Sequence, residues 1–162
     1  MHQSPINIRE SSTIQRSKIV KSKMPYWACF ALSVAGCLMV AAAQTRTVWD
    51  GVYTDAQAER GRASYQQSCA ACHREDLRGD STAPSLVGES FTFLWGDMEV
   101  GELLARMQKL MPPERPGSLP PQTYIDIVAF MLQKNAFPAG NMELSADPAA
   151  LHILIAASRP GG

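Results

Sequence analysis

The sequence is short of metal-binding side chains. Its 162 residues hold four cysteines and three histidines. The stretch "QQSCAACHRED", residues 66–76, has no second Cys/His pair to complement it. A structural zinc site needs four ligands, so this chain would have to borrow carboxylates. Net charge is also missing: 15 Lys+Arg face 15 Asp+Glu. The charges are scattered, with no basic patch of the kind that tracks a phosphate backbone, which excludes nucleic acid as a partner. No internal repeat is present, and no apolar/polar alternation is long enough for a convincing strand. Without a strand, the α/β setting of a thioredoxin-like disulfide is absent.

The neutral total hides a split. Residues 1–43 carry five Lys/Arg and one acid, giving +4; residues 44–162 carry ten bases and fourteen acids, giving −4. A basic leader before an acidic body fits an export signal and a soluble product. Lys18 to Lys23 form a positive start, "YWACFALSVAGCLMV" (26–40) is apolar or small throughout, and "AAAQ" offers small residues for a cut before Gln44. Two other readings stand. "VAGC", Val34 to Cys37, resembles a lipoprotein cleavage box that would leave Cys37 acylated, and the run nearly reaches spanning length as a retained anchor. All three place the body outside the cytoplasm, in the periplasm, with the membrane involved only through the leader or a lipid. Cleavage before Gln44 leaves the body only Cys69 and Cys72.

The body reads as helices separated by loops. "QTRTVWDGV" (44–52) is an extended lead-in. A helix fits 55–69, capped by Thr54 or Asp55, with Ala58, Gly61, Arg62, Tyr65 and Cys69 near one face. Phe91 and Phe93 are expected in the core. Asp97 can cap a helix from Glu99 to Lys109, with Val100, Leu103, Leu104 and Met107 as its apolar stripe. "MPPERPGSLPP" has five prolines in eleven residues and is neither helix nor inner strand. A last helix fits Gln122 to Lys134, and a short one around Pro148 to Ala157. The body divides into a domain at 52–137 and a tail at 138–162. Three or four short helices bury little apolar area, a deficit that a large apolar cofactor would repair.

"CAACH" supplies that cofactor. Two thiols three apart on one helical turn can each add to a haem vinyl group, and the adjacent histidine then swings under the iron. The residues favour one haem c, bound through Cys69 and Cys72 with His73 on the iron. For the opposite ligand the body offers Met98, Met107, Met111, Met131 and Met142. Met107 and Met131 sit on apolar stripes. Met111 runs straight into Pro112 and Pro113, and a residue before proline is pushed out of helical geometry. A thioether on so stiff a loop suits the second axial position; Met98 and His152 stand behind it.

These residues resemble a known family. "CAACH", with Gly61 and Tyr65 before it, is similar to the class I c-type cytochromes, and the likeness runs over about residues 52–137. It implies an all-α cytochrome c fold: three to four short helices around one covalently bound haem, with long Pro/Gly loops. It implies that Gly61 and Tyr65 cross the last helix at Ile127 and Phe130. "APSLVG" resembles the family's segment whose proline carbonyl accepts the histidine N–H, which carries over to Pro84, with Leu86 packing on the same side of the haem. "LMPPERPG" resembles the family's Met-Pro pair, which carries over to Met111. Trp95 either contacts a haem propionate or is a half-buried core residue.

The segment from Trp95 to Leu144 resembles a narrower group: cytochromes that work with quinoprotein (PQQ) dehydrogenases. That likeness implies a single-electron carrier rather than an enzyme, with a dehydrogenase as donor and an oxidase or another cytochrome as acceptor. Two alternatives remain: a haem-binding subunit of a larger oxidoreductase complex, or a haem enzyme or sensor with an open axial position.

Overall fold

The computed structural model describes residues 45–159 and 161. The leader, including Cys37 and the cut before Gln44, lies outside the described residues. Five α-helices are present among them: α1 (Asp55–Ser68), α2 (Ala70–His73), α3 (Glu89–Trp95), α4 (Val100–Leu110) and α5 (Pro121–Lys134), with 3-10 turns at Val48–Asp50 and Pro148–Ala150. The fold is all-α, and no strand forms among the described residues.

Helix α1 starts where Thr54, in extended geometry, accepts the Gln57 N–H on its hydroxyl. Helix α5 starts with Pro121 at its first position, where the missing N–H costs nothing. Every residue from Tyr124 to Leu132 is buried, so α5 is the central helix. The two helices touch backbone to backbone at Gly61. A Cβ there would lie 1.8 Å from the Asp126 carbonyl oxygen, so only glycine fits. Beside this crossing the Tyr65 and Phe130 rings pack 5.4 Å apart, tilted by 56°.

Next to the crossing lies a buried polar network. Gln57, fully buried, donates to Asp126 Oδ1 and the Leu144 carbonyl and accepts the Leu144 N–H. Arg60 forks between Asp126 and Glu143. Asp126 is itself 6% exposed, so these partners are what make its burial tolerable. The network ties the chain after α5 back onto α1.

Four expectations need correction. Asp97 does not cap α4. Glu99 does, through a reciprocal capping box with Glu102, while Asp97 adopts a positive φ and donates its N–H to Ile155. The aromatic stretch before it forms a separate helix, α3. On that helix Phe91 and Phe93 cannot share a face, since two residues span 200° of turn. Phe91 is fully buried and Phe93 is 89% exposed. The lead-in is not simply extended: Thr47 and Asp50 form a capping box around the Val48–Asp50 turn.

The tail differs most. Only Pro148–Ala150 is helical, as one 3-10 turn. Beyond it the chain runs straight, with Leu151, Ile153 and Ile155 buried and His152 exposed, a period of two. Its backbone bonds to Arg46 and Val48 on one side and to Asp97, Met98, Val100 and Gly101 on the other. Those partners lie far away in sequence, which is why a local helical reading failed there.

Candidate haem-attachment site

Helix α1 ends at Ser68, and the chain turns at once into α2. The Cys69 carbonyl accepts both the Cys72 N–H at 3.2 Å and the His73 N–H at 3.0 Å, so the three side chains leave one turn. Cys69 and Cys72 are free thiols, both half-buried. Burial, with a smaller contribution from Cys72, pushes the Cys69 thiol up to about 11. Thiol-exchange motifs need the opposite, a stabilised thiolate, so the setting disfavours a redox disulfide.

The loop after the motif folds back onto it. Arg74 takes a positive φ, and its carbonyl accepts the Tyr65 hydroxyl at 2.8 Å and the Leu77 N–H at 3.2 Å. Leu77, also at positive φ, is fully buried. Gly79 donates to the His73 carbonyl and Leu86 to the Leu77 carbonyl, at 3.0 and 2.8 Å. These bonds place the Pro84 carbonyl oxygen 3.0 Å from His73 Nδ1. A carbonyl only accepts, so Nδ1 is the nitrogen that donates, which leaves Nε2 as the one that can act as a ligand in the neutral ring.

His73 is 7% exposed. Its Nε2 has no hydrogen-bond partner among the described residues, and no fully sealed side-chain N or O there lacks one. Nε2 therefore faces open space at the edge of the core. An imidazole held through Nδ1, with Nε2 free of any protein partner, beside two free thiols is the donor set for a covalently attached haem, so these residues fit that group.

Met111 lies where α4 stops. Its φ of −125° and ψ of 148° are extended, as the following proline demands. Its N–H bonds to the Met107 carbonyl at 2.8 Å, and its carbonyl accepts the Tyr124 hydroxyl from α5 at 2.6 Å. The side chain is half-buried. Leu86 is half-buried against the core, and its carbonyl accepts from Asn135 Nδ2 at 3.0 Å. Trp95 packs on the core edge with the Arg106 guanidinium 5.8 Å from its ring centre. His152 is exposed and paired with Glu99 at 2.8 Å. No cluster of three metal-binding His, Cys, Asp or Glu exists among the described residues.

Two residues escaped the sequence reading. Tyr124 anchors Met111, and Asn135 closes the other loop by also accepting the Gly88 N–H at 2.9 Å and capping the end of α5 through Met131. A tyrosine on an otherwise apolar face is the one signal that was available, because a buried hydroxyl needs a partner.

Residues 56–131 match the family model described as cytochrome c oxidase, cbb3-type, subunit III. That segment is similar to the c-type cytochrome domains of this family. The match spans α1 to α4 and most of α5, and so contains Cys69, Cys72, His73, Pro84, Leu86, Trp95 and Met111. No curated protein and no solved structure matches the chain. The likeness to a cytochrome c domain supports haem binding, redox protein partners and an electron-transfer role rather than catalysis.

Proposed function

We propose that the protein is an exported, periplasmic mono-haem c-type cytochrome that carries single electrons. The observation that carries this is the α2 turn, in which Cys69 and Cys72 stand free and His73 is locked by Pro84 with Nε2 open. Cys69 and Cys72 would hold the haem as thioethers, and His73 and Met111 would ligate its iron. The haem, when bound, supplies the redox chemistry. Pro84 fixes the imidazole plane and raises the basicity of Nε2 through the Nδ1–H bond. Tyr124 holds the Met111 backbone through its carbonyl. A soft thioether on the iron would favour the ferrous state, and two protein ligands would leave no position for a substrate.

The donor in this proposal is a quinoprotein dehydrogenase, supported by the resemblance of the segment from Trp95 to Leu144. The acceptor is the respiratory chain, through an oxidase or another cytochrome. A second reading has its own support: the matching family model describes an oxidase subunit, so the chain could instead serve inside a larger oxidoreductase complex. Haem staining after denaturation tests covalent attachment. Ferric and ferrous spectra test the ligands: a low-spin centre with a weak far-red sulfur-to-iron band is expected, and a high-spin centre that shifts with carbon monoxide at neutral pH would overturn the carrier. Co-purification of a dehydrogenase or of oxidase subunits separates the two settings.

A further inference from the structure

Between α4 and α5 the chain makes a loop, residues 111–120, that is exposed from Pro113 to Ser118. Its own backbone bonds are few. The Arg115 N–H reaches the Pro112 carbonyl at 3.0 Å, the Ser118 N–H the Arg115 carbonyl at 3.2 Å, and the Gly117 N–H the Met111 carbonyl at 3.4 Å. Leu119, partly buried, packs against the core. Among the described residues, one side chain hydrogen-bonds to this loop, and it comes from α5: the Tyr124 hydroxyl.

Tyr124 clasps both ends of the loop. Its hydroxyl donates to the Met111 carbonyl at 2.6 Å, and its N–H donates to the Pro120 carbonyl at 3.2 Å. Tyr124 is 2% exposed and opens the stretch of α5 that is buried throughout, so the clasp sits on the central helix. Met111 is thereby tied on both sides of its Cα. Its N–H bonds to the Met107 carbonyl at 2.8 Å, and its carbonyl accepts the Tyr124 hydroxyl. Bonds on both sides fix φ and ψ, and these fix the direction in which the side chain leaves the backbone. Without the hydroxyl, the Met111 carbonyl keeps only the long bond from Gly117, which belongs to the same loop and moves with it. An exposed segment with few bonds to the rest opens locally at lower cost than the whole fold.

We propose that Tyr124 is a positioning residue that keeps small ligands off the iron. The inference rests on Met111 ligating that iron, the reading given above. Tyr124 acts through the Met111 backbone. With the clasp closed, the thioether is held in place. With it open, residues 111–119 lift as a unit and the axial position is free for a small donor such as imidazole. The apparent affinity for that donor follows the fraction of molecules in the open state. One neutral hydrogen bond is enough to change that fraction about fivefold.

Imidazole titration of the ferric, haem-loaded protein tests this, read by loss of the weak far-red sulfur-to-iron band. Tyr124→Phe keeps the ring and the backbone N–H and removes only the hydroxyl. It should bind imidazole about fivefold more tightly than the wild type. On warming, it should also lose the far-red band further below the loss of helical circular dichroism than the wild type does. Thr54→Ala removes a bond of similar strength, the cap of α1, and should leave imidazole affinity unchanged. Equal imidazole affinity in the wild type and Tyr124→Phe overturns the proposal and leaves Met111 as the ligand. An equal gain in Thr54→Ala overturns it as well, since the effect is then general loosening. A wild type without the far-red band overturns the ligation by Met111, and the clasp falls with it.

Discussion

The loop after the Cys-Cys-His turn and the loop after α4 hold their key residues in opposite ways. The first, from Arg74 to Val87, is fixed by hydrogen bonds. His73, Leu77, Gly79, Asp80, Ala83, Pro84 and Leu86 bond to one another, and Asn135 clamps the end. Its one proline acts through its carbonyl. The second, from Met111 to Pro121, has five prolines and few internal bonds, with Arg115 to Pro112 and Ser118 to Arg115 among them. Its stiffness is covalent, and a single tyrosine pins its start. Hydrogen bonds can fix the rotation of an imidazole, which an axial nitrogen requires. A thioether on a long flexible side chain needs only an anchored backbone.

The largest effects should come from the two residues held in these ways. His73→Ala should abolish a stable low-spin centre, whereas Met111→Ala should keep covalent haem and convert it to high spin. Absorption spectra of the two variants check this, and an unchanged Met111→Ala spectrum would move the ligand to another methionine. Gly61→Ala strikes the support common to both loops. The new methyl would meet the Asp126 carbonyl, so stability should fall by about 3 kcal/mol, the upper end for a group forced into a close-packed contact. Urea unfolding measures it.

Asn135→Ala removes two hydrogen bonds that close the first loop and one that caps α5, and should cost about 2 kcal/mol, because backbone groups of Leu86 and Gly88 lose their partners. Faster amide exchange should be confined to that loop. Tyr124→Phe removes one bond from the second loop and should cost about 1 kcal/mol. The proline-rich loop should change less than the bonded one. Equal loosening of both loops would sink the distinction between them.

Much of the domain could be read locally. The capping signal at Thr54, the apolar stripes of α4 and α5, and the spacing of Gly61, Tyr65 and the Cys-Cys-His turn follow from side-chain type and helical period. Other features depend on distant partners. Glu99 rather than Asp97 caps α4 because the helix begins at Val100, after Asp97 has turned at positive φ to meet the tail. Gln57 looks like a surface glutamine, yet it is fully buried because Leu144 and Asp126 arrive from elsewhere in the chain. Nothing near Phe93 in the sequence shows that its side of α3 is left uncovered.

The sequence by itself determined the chemistry on offer: two thiols and an imidazole on one turn, a methionine tied to proline, and an all-helical setting. These are local properties, fixed by covalent spacing and backbone sterics. Only the tertiary structure decided how that chemistry is held. The Pro84 carbonyl reaches His73, Tyr124 reaches Met111, and the tail runs extended between Arg46 and Gly101. Each of these depends on a backbone or hydroxyl group finding a partner once the helices have crossed. Burial makes an unpaired polar group costly, so the crossing at Gly61 dictates which pairs must form.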